Sequence, residues 1–223
     1  MIETLIEQGA IFMADETVDF ASMLCSRLCH DLLSPVGSFA NGLELLADEH
    51  EPEMRARCID LLESSARIAI NRLKYFRLAF GSAGGYGDSL SVADLREALC
   101  GQVPDGREVA LNWIGDAEPL PKPAARVLLL LGMSVVDALV RGGRIDVAVE
   151  RRGETLELAL RGEGPRVVID NASLAMFASA DEALAPKTVP IAMARRLAVH
   201  HGGDVMLSRP NENEIVVGAI LSA

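Results

Sequence analysis

No stretch of the 223-residue sequence clusters lysine and arginine, and the formal net charge is −11. Both features exclude the basic footprint with which proteins grip nucleic acid or an anionic membrane surface. No apolar run reaches the roughly 18 residues of a membrane span. The longest, VLLLLGMSVVDALV, is interrupted by Asp137 and followed by Arg-Gly-Gly, which suits a buried helix. The N-terminal MIETLIEQGAIFMADETVDF has no basic segment leading an apolar one, so no secretion signal is expected. There is no Cys-x-x-Cys pair. The spacing of Cys25, Cys29, Cys58 and Cys100, with His30 beside them, fits no zinc pattern, and no metal site is expected. The cysteines read as small buried apolar residues in a reducing cytoplasm. Internal repeats and low-complexity tracts are also missing.

Half of the residues are apolar, enough to bury a core. From Asp15 to Ala47 the apolar positions Leu24, Leu28, Leu32, Pro35, Phe39, Leu43 and Leu46 recur at helical spacing. DEHEPE (48–53) breaks the pattern, and Pro52 is placed to open a second helix running to about Phe80. Its apolar stripe is Cys58, Leu61, Leu62, Ala66, Ala69, Leu73 and Phe76. Two long helices joined by a short turn make an antiparallel hairpin, residues 1–80, which cannot enclose its own stripe. The glycine-rich GSAGGYGDS (81–89) reads as a linker. Either the rest of the chain covers the stripe or a second copy does, and the linker favours a second copy, paired as a four-helix bundle. Residues 90–223 mix helices and strands: a helix at VADLREALCGQ, a strand at EVALNWIG, and a helix from Lys122 stopped by Gly142. A strand hairpin turns around Arg152 to Glu154, two more helices follow, and a last hairpin closes the chain. Mostly antiparallel strands with helices on one face predict a two-layer α/β sandwich, giving an α plus α/β fold class overall.

On a helical wheel of about 100° per residue, His30 falls nearly opposite the apolar stripe of the first helix. It is expected to face solvent, sharing its face with Arg27, Ser34, Gly37, Ser38 and Asn41. These are mostly small and polar, so a partner's backbone could come close. Asp31 sits one step round the helix, within reach of an imidazole edge. A carboxylate holding Nδ1–H would fix the tautomer and leave Nε2 free as a nucleophile. Pro35 removes the donor that the Asp31 carbonyl would otherwise meet, and predicts a bend beneath the histidine. A lone exposed histidine is more often only a solvated residue. Ser34 is as readily a solvated helix serine as a donor to a bound phosphoryl group. His200 and His201 read as residues closing a helix before Gly202, Trp113 as core, and Arg195 and Arg196 as solvated or paired with acids.

HDLLSPV (30–36) resembles the H-box of sensor histidine kinases: histidine, acid, aliphatic, two variable residues, proline, aliphatic. The resemblance implies that His30 accepts a phosphoryl group, that the hairpin dimerises, and that the following domain has the fold of the kinase ATPase domain. That domain departs from the kinase pattern where nucleotide should bind. MSVVDA (133–138) puts Met133 and Asp137 where two asparagines are wanted, the second a magnesium ligand. LRGEG (160–164) puts Leu160 where the adenine-binding aspartate should be, and ALAPKTVP replaces the glycine-rich lid before KTVPIAMARRLAVHHGG (187–203). Leucine cannot accept a hydrogen bond from adenine, and without a glycine loop few backbone N–H groups are free to cradle phosphates. Asp137 alone is a weak cation site.

The domain therefore reads as a degenerate ATPase that keeps its fold and binds no ATP. A phosphoacceptor without an ATP site resembles the alphaproteobacterial histidine phosphotransferases. That resemblance implies a cytoplasmic homodimer that passes phosphoryl groups from the receiver domain of a hybrid kinase to response regulators controlling the cell cycle. Mg²⁺ would come with the receiver. Helical phase and family habit together place receiver docking on Arg27, Gly37, Ser38, Asn41 and Leu45, with Ile59 and Glu63 of the second helix. Two other readings stay open: an active kinase with unusual boxes, and a non-enzymatic adaptor that reuses the fold. An adaptor has no need of the H-box.

Overall fold

The structure, a computed structural model, describes residues 2–81, 87–115, 118–179 and 182–222, with side chains from residue 16 onward. Helices α1 (Ile2–Asp48) and α2 (Pro52–Ala79) form the expected antiparallel hairpin. α1 begins at Ile2 rather than near Asp15, because the stretch ahead of Asp15 is rich in good helix formers and contains no proline. Glu49 accepts from the backbone N–H groups of His50 and Glu51, and Arg55 donates to the carbonyls of Leu46 and Glu49. These bonds fix the turn, and Pro52 then opens α2 where no backbone donor is needed.

The seam between the helices follows Asp31, Pro35, Ser38 and Gly42 on α1 and Cys58, Leu62, Ser65 and Ala69 on α2. At Gly42 the helices come so close that an added Cβ would lie 3.0 Å from Leu62 Cδ2 and 3.6 Å from Leu61 Cδ2. The seam is shifted from the apolar stripe read in the sequence: Phe39, Leu43, Leu61 and Leu73 stay exposed. One neighbouring helix covers only one wedge of each cylinder, and α2 takes the wedge that includes Asp31. Of the four cysteines only Cys58 is buried. Cys25, Cys29 and Cys100 are exposed, because they lie off the covered wedges.

The remainder is a two-layer α/β unit with elements β1 (Ser89–Leu90), α3 (Val92–Cys100), β2 (Val109–Ile114), β3 (Leu120–Pro121), α4 (Lys122–Ala138), β4 (Gly143–Arg152), β5 (Thr155–Glu163), α5 (Asn171–Ala178), α6 (Val189–His200), β6 (Asp204–Ser208) and β7 (Glu214–Ser222). The five-stranded sheet has the order β2-β4-β5-β7-β6, antiparallel except between β2 and β4. β1 and β3 form a separate short pair. Of the expected linker, residues 82–86 lie outside the described residues, and Ser89 already belongs to β1. Alternate residues of β5 (Leu156, Leu158, Leu160) and β7 (Ile215, Val217, Ala219, Leu221) point into the helical layer. The other face is open, and Arg144, Asp146, Arg161, Glu163 and Glu214 form ion pairs across it. Trp113, on edge strand β2, is only partly buried against the core.

One local expectation is corrected, and one left between two readings is decided. α4 ends at Ala138, not at Gly142, because Leu139 leaves the helix to bury its side chain and bridge to Val167. Gly142, with φ 79°, instead turns the chain into β4, where a Cβ would lie 2.4 Å from the Glu108 carbonyl oxygen. Of the two readings of Arg195, solvated or paired with an acid, the second holds: Asp204 is its partner. Arg195 is buried and donates to the carbonyls of Met176 and Phe177 at the end of α5 and to Asp204. Replacing Arg195 with alanine orphans both carbonyls, and the expected cost is about 3 kcal/mol at about 1–3 kcal/mol per unsatisfied buried group. Urea unfolding at neutral pH measures it. A midpoint equal to wild type would mean that water serves those carbonyls equally well.

Candidate functional site

His30 stands on α1 with its side chain 84% exposed, next to Asp31, whose side chain is only 7% exposed. The two residues point in different directions, as adjacent helix positions must, yet Nδ1 of His30 lies 3.1 Å from Oδ1 of Asp31. A carboxylate can only accept a hydrogen bond, so this contact places the N–H on Nδ1. Nε2 is then left with its lone pair, on the exposed edge of the ring.

Asp31 is itself held. Arg27, one turn earlier, donates Nε–H to Asp31 Oδ2 at 2.7 Å, and Arg72 of α2 approaches the same oxygen at 3.9 Å. Arg27 reaches on from Asp31 to Asp137 at the end of α4, at 3.0 Å. Burial opposes the charge of Arg27, but Asp137 and Asp31 outweigh it and hold the guanidinium above its ordinary pKa. Asp137, the acid that stood at the place of a magnesium ligand, is therefore an arginine's partner. Arg27, expected on the docking face, is 11% exposed and does not belong to it.

An exposed row continues from His30 along α1 through Ser34, Gly37, Asn41 and Leu45. Among the described residues nothing lies within 4 Å of a Cβ built at Gly37, so none of them covers the backbone there. Ser38 is half-buried, turned toward the seam. The row lies about 80° from the seam in one rotational sense, counting about 100° per residue. On α2, Ile59 and Glu63 lie about 100–140° from the seam in the other sense. In an antiparallel pair these senses put them on the opposite side of the hairpin from His30, so they do not join the row.

Leu61, beside Gly42, is the α2 residue that flanks the row instead. The sequence could have shown this only if the phase of α2 had been set against that of α1. The α/β unit packs on the histidine side: Tyr75 donates to the Leu129 carbonyl, and Ser64 to Asp105 at 2.5 Å. Ile59, Ala66, Ile70 and Leu73 of α2 and Val36, Phe39 and Leu43 of α1 lie on the other side, and all of these but Ala66 are large exposed apolar residues.

The remaining positions compared with nucleotide-binding kinases are filled. Leu160 and Val135 are wholly buried in the core, and Met133 nearly so. Lys187, in the segment that replaces a glycine-rich lid, reaches Asp170 at 2.6 Å. Burial opposes the Asp170 charge, but Lys187 and the Ser173 donors outweigh it and hold the carboxyl down at about 2. His200 and His201 sit at the end of α6 with their rings edge to face. No helix among the described residues is long and apolar enough to cross a membrane.

The model of the histidine phosphotransferase C-terminal domain matches residues 92–213. Protein phosphotransferase ChpT of Brucella abortus (strain 2308) is 36% identical over 133 residues, which are 60% of this chain and 62% of that curated relative. A bacterial phosphotransferase of known structure superposes with a TM-score of 0.76 at 27% identity, covering 91% of this chain and 96% of that one.

Proposed function

The chain belongs to the histidine phosphotransferase family, and from that premise we propose that it relays phosphoryl groups between receiver domains through a phosphohistidine at His30, without using ATP. The observation that carries the proposal is the ring geometry: a buried acid engages Nδ1 at 3.1 Å while the imidazole stands 84% exposed. The similarity to ChpT, a protein phosphotransferase, supports the same reading.

In the first step the Nε2 lone pair of His30 attacks the phosphorus of a receiver's aspartyl phosphate in line. The phosphorus–oxygen bond to the aspartate breaks, and its electrons leave with the carboxylate. Nδ1 keeps its proton, and Asp31 stabilises the positive charge that develops on the ring. In the second step a carboxylate oxygen of another receiver attacks the phosphorus, and the nitrogen–phosphorus bond returns its pair to Nε2. The Mg²⁺ belongs to the receiver's acidic pocket and balances charge on the transferring group. Catalysis is then chiefly positioning, so docking matters. Gly37, Asn41 and Leu45, flanked by Leu61, form the docking surface, and Ser34, one turn after His30, donates its hydroxyl to a phosphoryl group there. The buried Leu160 and Met133 support a domain without ATP. The donor is the receiver of a hybrid kinase, and the acceptors are response regulators controlling the cell cycle, in the cytoplasm.

The working form is a homodimer. The hairpin side opposite His30 carries Leu43, Ile70 and Leu73 in the open, and a second hairpin would bury them in a four-helix bundle without touching the α/β unit. The paired variant Leu43→Glu, Ile70→Glu is expected to run as a monomer with an unchanged far-ultraviolet dichroism spectrum. Sedimentation equilibrium reads the mass, and a variant that still sediments as a dimer would move the interface elsewhere.

Phosphotransfer profiling tests the function. The purified chain is incubated with a pre-phosphorylated receiver and then with a panel of unphosphorylated ones. Label should appear on this chain and then on a subset of acceptors. Label acquired from ATP and Mg²⁺ with no other protein present would refute the relay in favour of a kinase.

A further inference from the structure

We propose that Asp137, in the α/β unit, is a positioning residue for His30, acting across the domain contact through Arg27 and Asp31. This inference rests on His30 being the phosphoacceptor and states what the α/β unit contributes to it. The contacts form an unbroken line: His30 Nδ1 to Asp31 Oδ1 at 3.1 Å, Asp31 Oδ2 to Arg27 Nε at 2.7 Å, and Arg27 to Asp137 Oδ2 at 3.0 Å.

Three features set this line apart from a surface ion pair. First, its two middle members are the buried ones, so Arg27 and Asp31 have little water to turn to if either end is lost. Second, the far end stands on a rigid support. Asp137 closes α4, whose Leu128, Leu129, Leu130 and Leu131 are wholly buried, and α4 is fastened to α2 by the Tyr75 hydroxyl on the Leu129 carbonyl. Third, the alternative cation for Asp31 is poorly placed. Arg72 stays at 3.9 Å, and its buried Nε has no hydrogen-bond partner among the described residues.

The guanidinium of Arg27 is the element that makes two separate acids act together. Its planar fork presents Nε–H to one carboxylate and a terminal N–H to the other, which the single ammonium of a lysine cannot do in the same geometry. With Asp137 in place the fork is pinned at its far end. Asp31 is then oriented with one oxygen on Arg27 and the other on the ring. Without Asp137 the guanidinium can rotate toward solvent, and the carboxylate loses the orientation that selects the Nδ1–H tautomer. Residues that orient a functional group through its hydrogen-bond partner typically contribute about 10–100-fold to its function.

The test uses the full chain carrying Asp137→Asn, Asp137→Glu or Arg27→Lys. Nitrogen-15 imidazole spectra report the His30 tautomer, and transfer from a pre-phosphorylated receiver gives kcat and KM separately. Asp137→Asn should raise the Nε2–H fraction of His30 and lower kcat about tenfold, with KM within about twofold. Asp137→Glu, which keeps the charge, should recover most of kcat. Arg27→Lys should resemble Asp137→Asn. Should Arg27→Lys fail to fold, the two Asp137 variants decide the matter, since that side chain is 42% exposed and tolerates replacement.

A wild-type ring spectrum in Asp137→Asn overturns the proposal. So does a shifted spectrum with unchanged kcat, or a loss confined to KM. If the wild-type chain transfers nothing, the relay reading fails by itself, and the ring spectra still decide whether Asp137 positions His30.

Discussion

Alanine at position 30 should abolish labelling of this chain by a phosphorylated receiver, a loss of at least about a thousandfold, because the nucleophile is gone and water cannot take its place in the docked complex. Binding of the receiver should change little. The His30 ring is 84% exposed and held by Asp31 at its Nδ1 edge, so its removal leaves no cavity and little broken packing. In the proposed docking the receiver would rest mainly on the backbone at Gly37 and on Asn41 and Leu45. The decisive measurement pairs a phosphotransfer time course with a titration of the same receiver by fluorescence anisotropy. Lost transfer with retained binding supports the relay. Retained transfer would move the phosphoacceptor to another residue and leave the H-box without a role. Loss of both would mean that the ring is part of the docking surface.

Asparagine at position 31 should have two effects of different origin. The amide keeps the shape of the carboxylate but removes its charge, and Arg27 and Arg72 then face a neutral group in a largely buried setting. Breaking a buried ion pair by removing one partner typically costs about 3–5 kcal/mol. Asp137 still compensates Arg27, so the lower end, about 3 kcal/mol, is expected here. Transfer should fall by about a hundredfold at saturating receiver, because an amide can present its NH₂ to Nδ1 and so favour the tautomer that protonates Nε2. Denaturant unfolding and single-turnover transfer at low temperature separate the two effects: the first reads stability, the second reads only folded molecules. Full transfer activity in a destabilised protein would show that Asp31 matters to the fold alone.

Much of the hairpin was legible in the residue pattern. A period of 3.6, a break at DEHEPE and a proline at the start of α2 are local signals, and the elements they predict are present. The strand hairpin at Arg152 to Glu154 was equally legible, since Gly153 adopts φ 64° in a two-residue connection. The end of α4 was not, because Gly142 is a plausible stop by every local rule and only the burial of Leu139 against Val167 ends the helix earlier. The acid partner of Arg195 was within reach of the sequence, but its burial was not: nothing near it in the sequence announces the two α5 carbonyls that it also serves.

The candidate site divides along the same line. The sequence alone determined that a histidine would stand clear of the apolar stripe with an acid beside it, because neighbours on one helix are set by a fixed rotation per residue. It also determined that a proline would follow one turn after the acid, inside the helix that carries both. Only the tertiary structure decided that Arg27 turns away from solvent to join Asp31 to Asp137, residues separated by more than a hundred positions along the chain. It also decided that Ile59 and Glu63 fall on the far side of the hairpin. The physical reason is that side-chain direction within a helix is a local property. Which flank meets a neighbour depends on how two helices rotate against each other and against a sheet, and that is settled by packing summed over the whole core.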